Sequence, residues 1–152
     1  MYVPLTLDDL GTTERLLVRA ARARPATACR GGTDGRWAEV EAALCEAPGR
    51  AAGRVAAWAL RGALALLDDR LRAGDDGASG RRVAVDEARL LAAVALLQAG
   101  RAGEADQILR WVAPAARVRG RALDRLAEVA QALLSGGQAL PVRWAGAGAA
   151  AA

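Results

Sequence analysis

The chain has 152 residues, 53% of them hydrophobic and 25% charged, and a formal net charge of +4. This length is sufficient for one domain with a buried core, and the composition excludes a disordered polypeptide. The sequence contains neither lysine nor histidine, and its two serines, Ser79 and Ser135, have no base beside them. It therefore offers no imidazole base, no histidine metal ligand and no lysine for a Schiff base. We predict a protein that is not an enzyme and that carries no metal or cofactor.

Two helices are predicted in the first third of the chain. The first begins near Thr6 or Thr12, whose side chains can cap a helix, and ends near Arg22 ahead of Pro25. A loop rich in proline and glycine separates it from a short helix over about 36–46. The inward face of this second helix is formed by Trp37, Val40 and Leu44.

The apolar stretch from 49 to 73 is predicted to form the central helix of the fold. At 3.6 residues per turn its apolar side chains cover about half of the circumference, which is more than one neighbouring helix requires. One flank consists of Leu60, Leu64, Leu67 and Leu71, and the other of Val55, Ala59 and Leu66. The opposite strip carries Arg50, Arg54, Arg61, Asp68 and Arg72. We expect this helix to pack against neighbours on two sides.

Three further helices are predicted after a loop at 74–82 that is rich in glycine and aspartate and that we expect to be flexible. They cover about 85–98, 103–113 and 116–134. The low-complexity segment 136–152 is predicted to be a loose tail. Because alanine and leucine dominate and no segment alternates at period two, the sequence predicts one all-α domain over 1–135. Its expected architecture is a compact bundle of five to six helices.

Small residues surround the predicted turn between the fourth and fifth helices. Ala93 lies in the middle of one helix, Gly100 at the turn and Ala105 early in the next helix. In this pattern residues 86–114 resemble a tetratricopeptide helical hairpin, although no second copy follows at the family's period of about 34 residues. The resemblance implies a unit of the type used in protein-binding scaffolds. The alternative interpretation is that two packed helices unrelated to this family have converged on the same small-residue turn.

Tryptophan and arginine residues outside the predicted core are the candidates for partner binding. Trp58 lies at the edge of the polar strip of the central helix, with Arg54 one turn before it and Arg61 one turn after. It is either a boundary residue covered by arginine stems or an anchor of a protein interface, where Trp and Arg are enriched. Trp111 lies off the main apolar stripe of its helix and is a second candidate anchor.

The last helix carries an arginine stripe that could meet an anionic partner. Arg117, Arg121 and Arg125 are spaced four residues apart, with Arg119 beside them. Like charges at this spacing repel by a few tenths of a kcal/mol per pair. Such a stripe suits an acidic protein surface, phosphate or nucleic acid, whereas a solvated helix face is the simpler interpretation. Gly120 lies within the stripe and can interrupt the helix.

The N-terminus, the longest apolar run, the cysteines and the candidate binding residues are the basis for predicting localisation and function. We expect a cytoplasmic protein without a membrane contact, because the N-terminus lacks the features of a signal peptide and Arg61 interrupts the longest apolar run. Cys29 and Cys45 form no recognisable motif, as in a reduced compartment. The favoured hypothesis is a protein–protein interaction module that binds a partner protein or a second copy of itself. The alternatives are nucleic-acid binding through the arginine stripe and a helical pocket for an apolar small molecule.

Overall fold

The computed structural model describes residues 5–23, 35–74 and 80–143, and within these ranges the chain is helical, without strands. The helices are α1 (Thr12–Ala23), α2 (Gly35–Glu46), α3 (Arg50–Leu67), α4 (Val85–Gln98), α5 (Ala102–Leu109) and α6 (Ala116–Ser135), preceded by a 3-10 turn (Leu7–Asp9). The predicted all-α bundle is confirmed. None of these helices is both long and apolar enough to cross a membrane. Most of the predicted loop between α1 and α2 and the middle of the 74–82 loop lie outside the described residues.

Helix α3 lies at the centre of the bundle, where α6 packs against one side of it and α2 against another. Helix α2 approaches α3 closely because position 53 is glycine. A Cβ there would overlap the Leu44 carbonyl and the Cys45 backbone of α2. At its far end α6 meets the α2–α3 connection, where Gly136 lies against Pro48. The end of α6 is thus beside the start of α3, and the two helices run antiparallel.

The central helix is shorter than predicted, and one of its apolar residues is not covered. It ends at Leu67, and a turn follows, but Leu71 beyond the turn is still buried. Val55, which was expected to face inward, is 51% exposed, although Ala59 on the same flank is buried. The physical reason is that the apolar arc of α3 is wider than the surface that α2 and α6 cover together.

The chain continues to pack on the bundle after α6, beyond the predicted domain end at residue 135. Leu140 is buried, and its backbone N–H donates to the Gln98 side chain at 2.7 Å. The Thr13 hydroxyl donates to the Gln138 side-chain oxygen at 2.6 Å, which links this segment to α1. The packed part of the chain therefore includes 136–140, residues 141–143 are exposed, and the remainder of the predicted tail lies outside the described residues.

A buried ion pair fixes α1 to the start of α4. The guanidinium of Arg22 donates to both carboxylate oxygens of Glu87, at 2.8 and 3.1 Å, and both side chains are almost fully buried. Their other hydrogen bonds reach the backbone of the α3–α4 connection, at Gly74, Gly80, Arg82 and Ala84. A buried charge is tolerated only when it is paired and hydrogen-bonded, and this pair meets both conditions. It anchors both ends of that connection.

Candidate functional site

Antiparallel packing of α3 and α6 brings two separately predicted groups of residues to one surface. The Arg125 guanidinium of α6 lies over the Trp58 ring of α3, 4.3 Å from its centroid. We call this surface the α3–α6 face. It comprises Arg54, Val55, Trp58 and Arg61 of α3 with Arg117, Arg121, Asp124, Arg125 and Glu128 of α6.

The Trp58 ring is held in place although most of it is in contact with solvent. The residue is 61% exposed, and the cation–π contact with Arg125 covers one side of it. Arg125 makes two further contacts: it donates to Glu128 at 3.0 Å, and its stem lies over Gly62, which leaves room for it. Arg54 and Arg61, predicted to flank the ring, are exposed on the side of α3 away from α6. The arginine that covers the ring thus comes from the other helix.

An apolar strip crosses the α3–α6 face between arginines. Val55 is 51% exposed and lies one turn before Trp58, and the small residues Gly62 and Ala65 continue the ridge toward the end of α3. Gly62 contacts the Arg125 stem, so this ridge borders α6. An aromatic ring and an aliphatic side chain therefore lie in water with positive charge on both sides.

The charge on this surface is strongly positive. Helix α3 contributes two arginines and no acidic residue to it, and α6 adds three exposed or partly exposed arginines against Asp124 and Glu128. Within the described part of the chain, four of the five arginines that belong to the α3–α6 face have no ion pair or hydrogen bond from the guanidinium: Arg54, Arg61, Arg117 and Arg121. An unpaired exposed guanidinium has all of its donors available for a carboxylate or a phosphate.

Arg119 does not belong to the exposed stripe that the sequence predicts for α6. It is only 9% exposed, and it donates to Asp106 at 2.6 Å and to the Ala113 and Pro114 carbonyls. The hydrogen bond from Arg119 holds the pKa of Asp106 below its ordinary value, against the opposing effect of burial. Arg119 therefore ties α6 to α5 and is not accessible to an anion. Gly120 beside it does not interrupt the helix, which is continuous through this position.

Trp111, the second predicted anchor, lies elsewhere on the surface. It is 67% exposed and contacts α4, where the Arg89 guanidinium is 5.5 Å from its ring centroid. Arg89 is also paired with Asp86 at 2.9 Å, so the charge beside this ring is already neutralised. The two predicted anchors thus have different neighbours, and only Trp58 lies among unpaired arginines.

A small ligand requires a cavity, and a metal ion requires grouped ligand side chains. A cavity between α1 and α2 is lined by Arg19, Ala23, Arg36, Glu39 and Val40, so charged side chains predominate there. No three Cys, Asp or Glu side chains of the described segments are grouped so that they could hold a metal ion. Comparison with protein-family models, with curated proteins and with solved structures gives no match.

Proposed function

We propose that this chain is a protein–protein interaction module that binds a partner through the α3–α6 face. The observation that carries the proposal is the ring of Trp58, which is 61% exposed and yet fixed by Arg125 at 4.3 Å. A side chain that is already held in place loses little conformational entropy when a partner covers it. Tryptophan and arginine are also the residue types that contribute most to interface hot spots.

The free energy available from this residue is substantial. A tryptophan buries about 150–250 Å² when it is fully covered, and at about 25 cal/mol per Å² the exposed part of Trp58 gives about 2–4 kcal/mol. Val55 adds to this sum, because it is half exposed one turn away. Because ordering and desolvation at an interface offset part of this free energy, we expect the ring to contribute about tenfold or more to affinity.

Nucleic-acid binding is the second candidate for the same surface, because Arg117 and Arg121 are exposed and unpaired among the described residues. Three observations favour a protein partner instead. The buried position of Arg119 removes one cation from the stripe, and Asp124 and Glu128 place negative charge within it. The exposed aliphatic side chain of Val55 also suits a protein better than a phosphate backbone.

Site-specific photocrosslinking in the cells that produce the protein tests this proposal, since it captures a partner whose identity is unknown. Val55 is replaced by p-benzoylphenylalanine on the α3–α6 face, and Gln107, exposed on α5, is replaced in the same way as a matched control. We expect a discrete adduct from position 55 that is absent from position 107 and is lost when Trp58→Ala is added. An adduct of twice the chain mass would identify a second copy as the partner. Equal adducts from both positions, or an adduct that Trp58→Ala leaves unchanged, would contradict the proposal.

A further inference from the structure

We infer that the partner presents to the α3–α6 face an acidic segment with an apolar side chain at its centre; this inference rests on the proposed function. Two rows of guanidinium groups carry it: Arg54 and Arg61 on α3, and Arg117 and Arg121 on α6. Val55 and Trp58 lie beside Arg54 and Arg61 on α3, and the antiparallel packing places Arg121 and Arg117 one and two turns beyond Arg125, toward the end of α3. An acidic segment that fills this surface places carboxylates at the two rows and an apolar side chain against the strip.

The dimensions of the face fit one segment of polypeptide. Packed helices lie about 8–10 Å apart, so two rows of side chains on adjacent helices flank a space that one helix or one extended strand can occupy. Arginine binds carboxylate through two parallel N–H donors, which fixes direction as well as charge. Arg125 covers one side of the Trp58 ring, and the exposed remainder of the ring is accessible to the segment's apolar side chain.

Charge complementarity argues against a second copy of this chain as the occupant. A two-fold symmetric interface sets each surface patch against the same patch of the other subunit. On this face that would oppose arginines to arginines, with Asp124 and Glu128 as the only acids to offset them. Like charges brought together in an interface cost several kcal/mol. The carboxylates of an acidic partner would instead be attracted by these arginines.

Charge placement also favours an acidic polypeptide over a nucleic acid. Phosphates follow one another at a fixed spacing, so a strand that follows α6 would pass the carboxylate of Asp124 between Arg121 and Arg125, and that of Glu128 one turn later. The position of each carboxylate in a polypeptide is set by its sequence, and the acids of α6 can then face neutral residues. The inference therefore commits to an acidic protein segment.

Fluorescence anisotropy with defined probes tests the inference. The probes are two labelled peptides of about 16 residues, comparable in length to α3, and an oligothymidylate of similar length. Both peptides are rich in glutamate and have equal charge, but one carries leucine at every third or fourth position and the other carries serine there. Arg121→Glu is compared with Arg82→Glu, the same charge change at an exposed residue outside the face.

We expect the leucine peptide to bind at least about tenfold more tightly than the serine peptide, the ratio that corresponds to 1.4 kcal/mol. Trp58→Ala and Arg121→Glu should each weaken its binding by about tenfold or more, Arg82→Glu by much less, and added salt should weaken it further. Absence of binding by the leucine peptide, preference for the oligothymidylate, or equal effects of the two charge reversals would overturn the inference.

The crosslinking experiment separates this inference from the function on which it rests. If position 55 gives a specific adduct and the crosslinked segment proves neutral or basic, the inference of an acidic partner is wrong, but the proposed interaction module is still supported. If position 55 gives no specific adduct, both fail. A specific adduct that maps to an acidic segment supports both.

Discussion

The ion pair of Arg22 and Glu87 is almost fully buried, and Glu87→Gln tests how much it stabilises the bundle. The substitution preserves the shape of the side chain but removes its charge and converts one accepting oxygen into a donor. Each carboxylate oxygen of Glu87 accepts one hydrogen bond from Arg22 and one from a backbone N–H. The amide nitrogen therefore faces two donors, whichever way the amide is turned.

The expected cost follows from this geometry. Two hydrogen bonds to a charged group are lost at about 1.5–3 kcal/mol each, and the buried Arg22 charge loses its counterion. Removal of one partner from a buried pair costs about 3–5 kcal/mol in general, which agrees with that sum. We expect Glu87→Gln to lower the free energy of unfolding by about 3–5 kcal/mol, a large share of the 5–15 kcal/mol typical of a domain.

Urea denaturation followed by circular dichroism at 222 nm measures this change, and Glu104→Gln is the matched control. Glu104 pairs with Arg101 at 2.6 Å, but its side chain is 46% exposed. An exposed pair contributes about 1 kcal/mol or less. If the two variants lost the same stability, or if Glu87→Gln cost less than about 1 kcal/mol, burial of the pair would not be the source of its contribution.

Three further predictions concern helix packing, the α5–α6 contact and the proposed binding residue. Gly53→Ala should lower the free energy of unfolding by about 1–3 kcal/mol or more, because the added Cβ overlaps the α2 backbone. Gly120→Ala is the matched control: the space around Gly120 is open, so this substitution should raise the free energy of unfolding by about 0.5–1 kcal/mol. Asp106→Asn should destabilise the fold at pH 7 and flatten its acid denaturation profile. The hydrogen bond from Arg119 lowers the pKa of Asp106, so its stabilising effect is present above the unfolded pKa and is lost as the pH falls through the folded one. Trp58→Ala should cost about 1 kcal/mol or less, because only the exposed cation–π contact is lost, and a larger loss by denaturation would place the residue in the core.

Most helix boundaries could be predicted because the signals that set them are local. The start of α4 at Val85, its end at Gln98 and the start of α6 at Ala116 agree with the predicted positions. Proline, glycine and first-turn acids act within a few residues, so a single sequence is sufficient to find them. Two ends are exceptions: α5 ends at Leu109, before the predicted end near residue 113, and no proline or glycine occurs between Leu67 and Gly74 to mark the end of α3. There the Arg72 N–H donates to Asp86 of the next helix, a contact that the local sequence does not reveal.

The sequence predicted two groups of residues of the candidate site separately, but it did not predict that they lie on one surface. The sequence singled out Trp58 with Arg54 and Arg61, and separately the α6 arginines, but nothing in the spacing indicated that Arg125 covers the Trp58 ring. For the same reason the sequence predicted that Arg119 belongs to an exposed stripe. Its partner Asp106 lies on α5, and Arg119 reaches it only when the α5–α6 turn is formed. Helical periodicity identifies the face of a helix, but it does not identify the neighbour that the face meets.

The sequence by itself determined the all-α class, the number of helices found in the described segments and the apolar faces that form the core, because helix propensity, capping and 3.6-residue periodicity are properties of short stretches. The tertiary structure alone decided which polar groups are buried together and which arginines remain free. Arg22 meets Glu87, and Trp58 meets Arg125, across intervals longer than sixty residues. These pairings depend on the packing of whole helices, which places distant side chains within a few ångströms of each other.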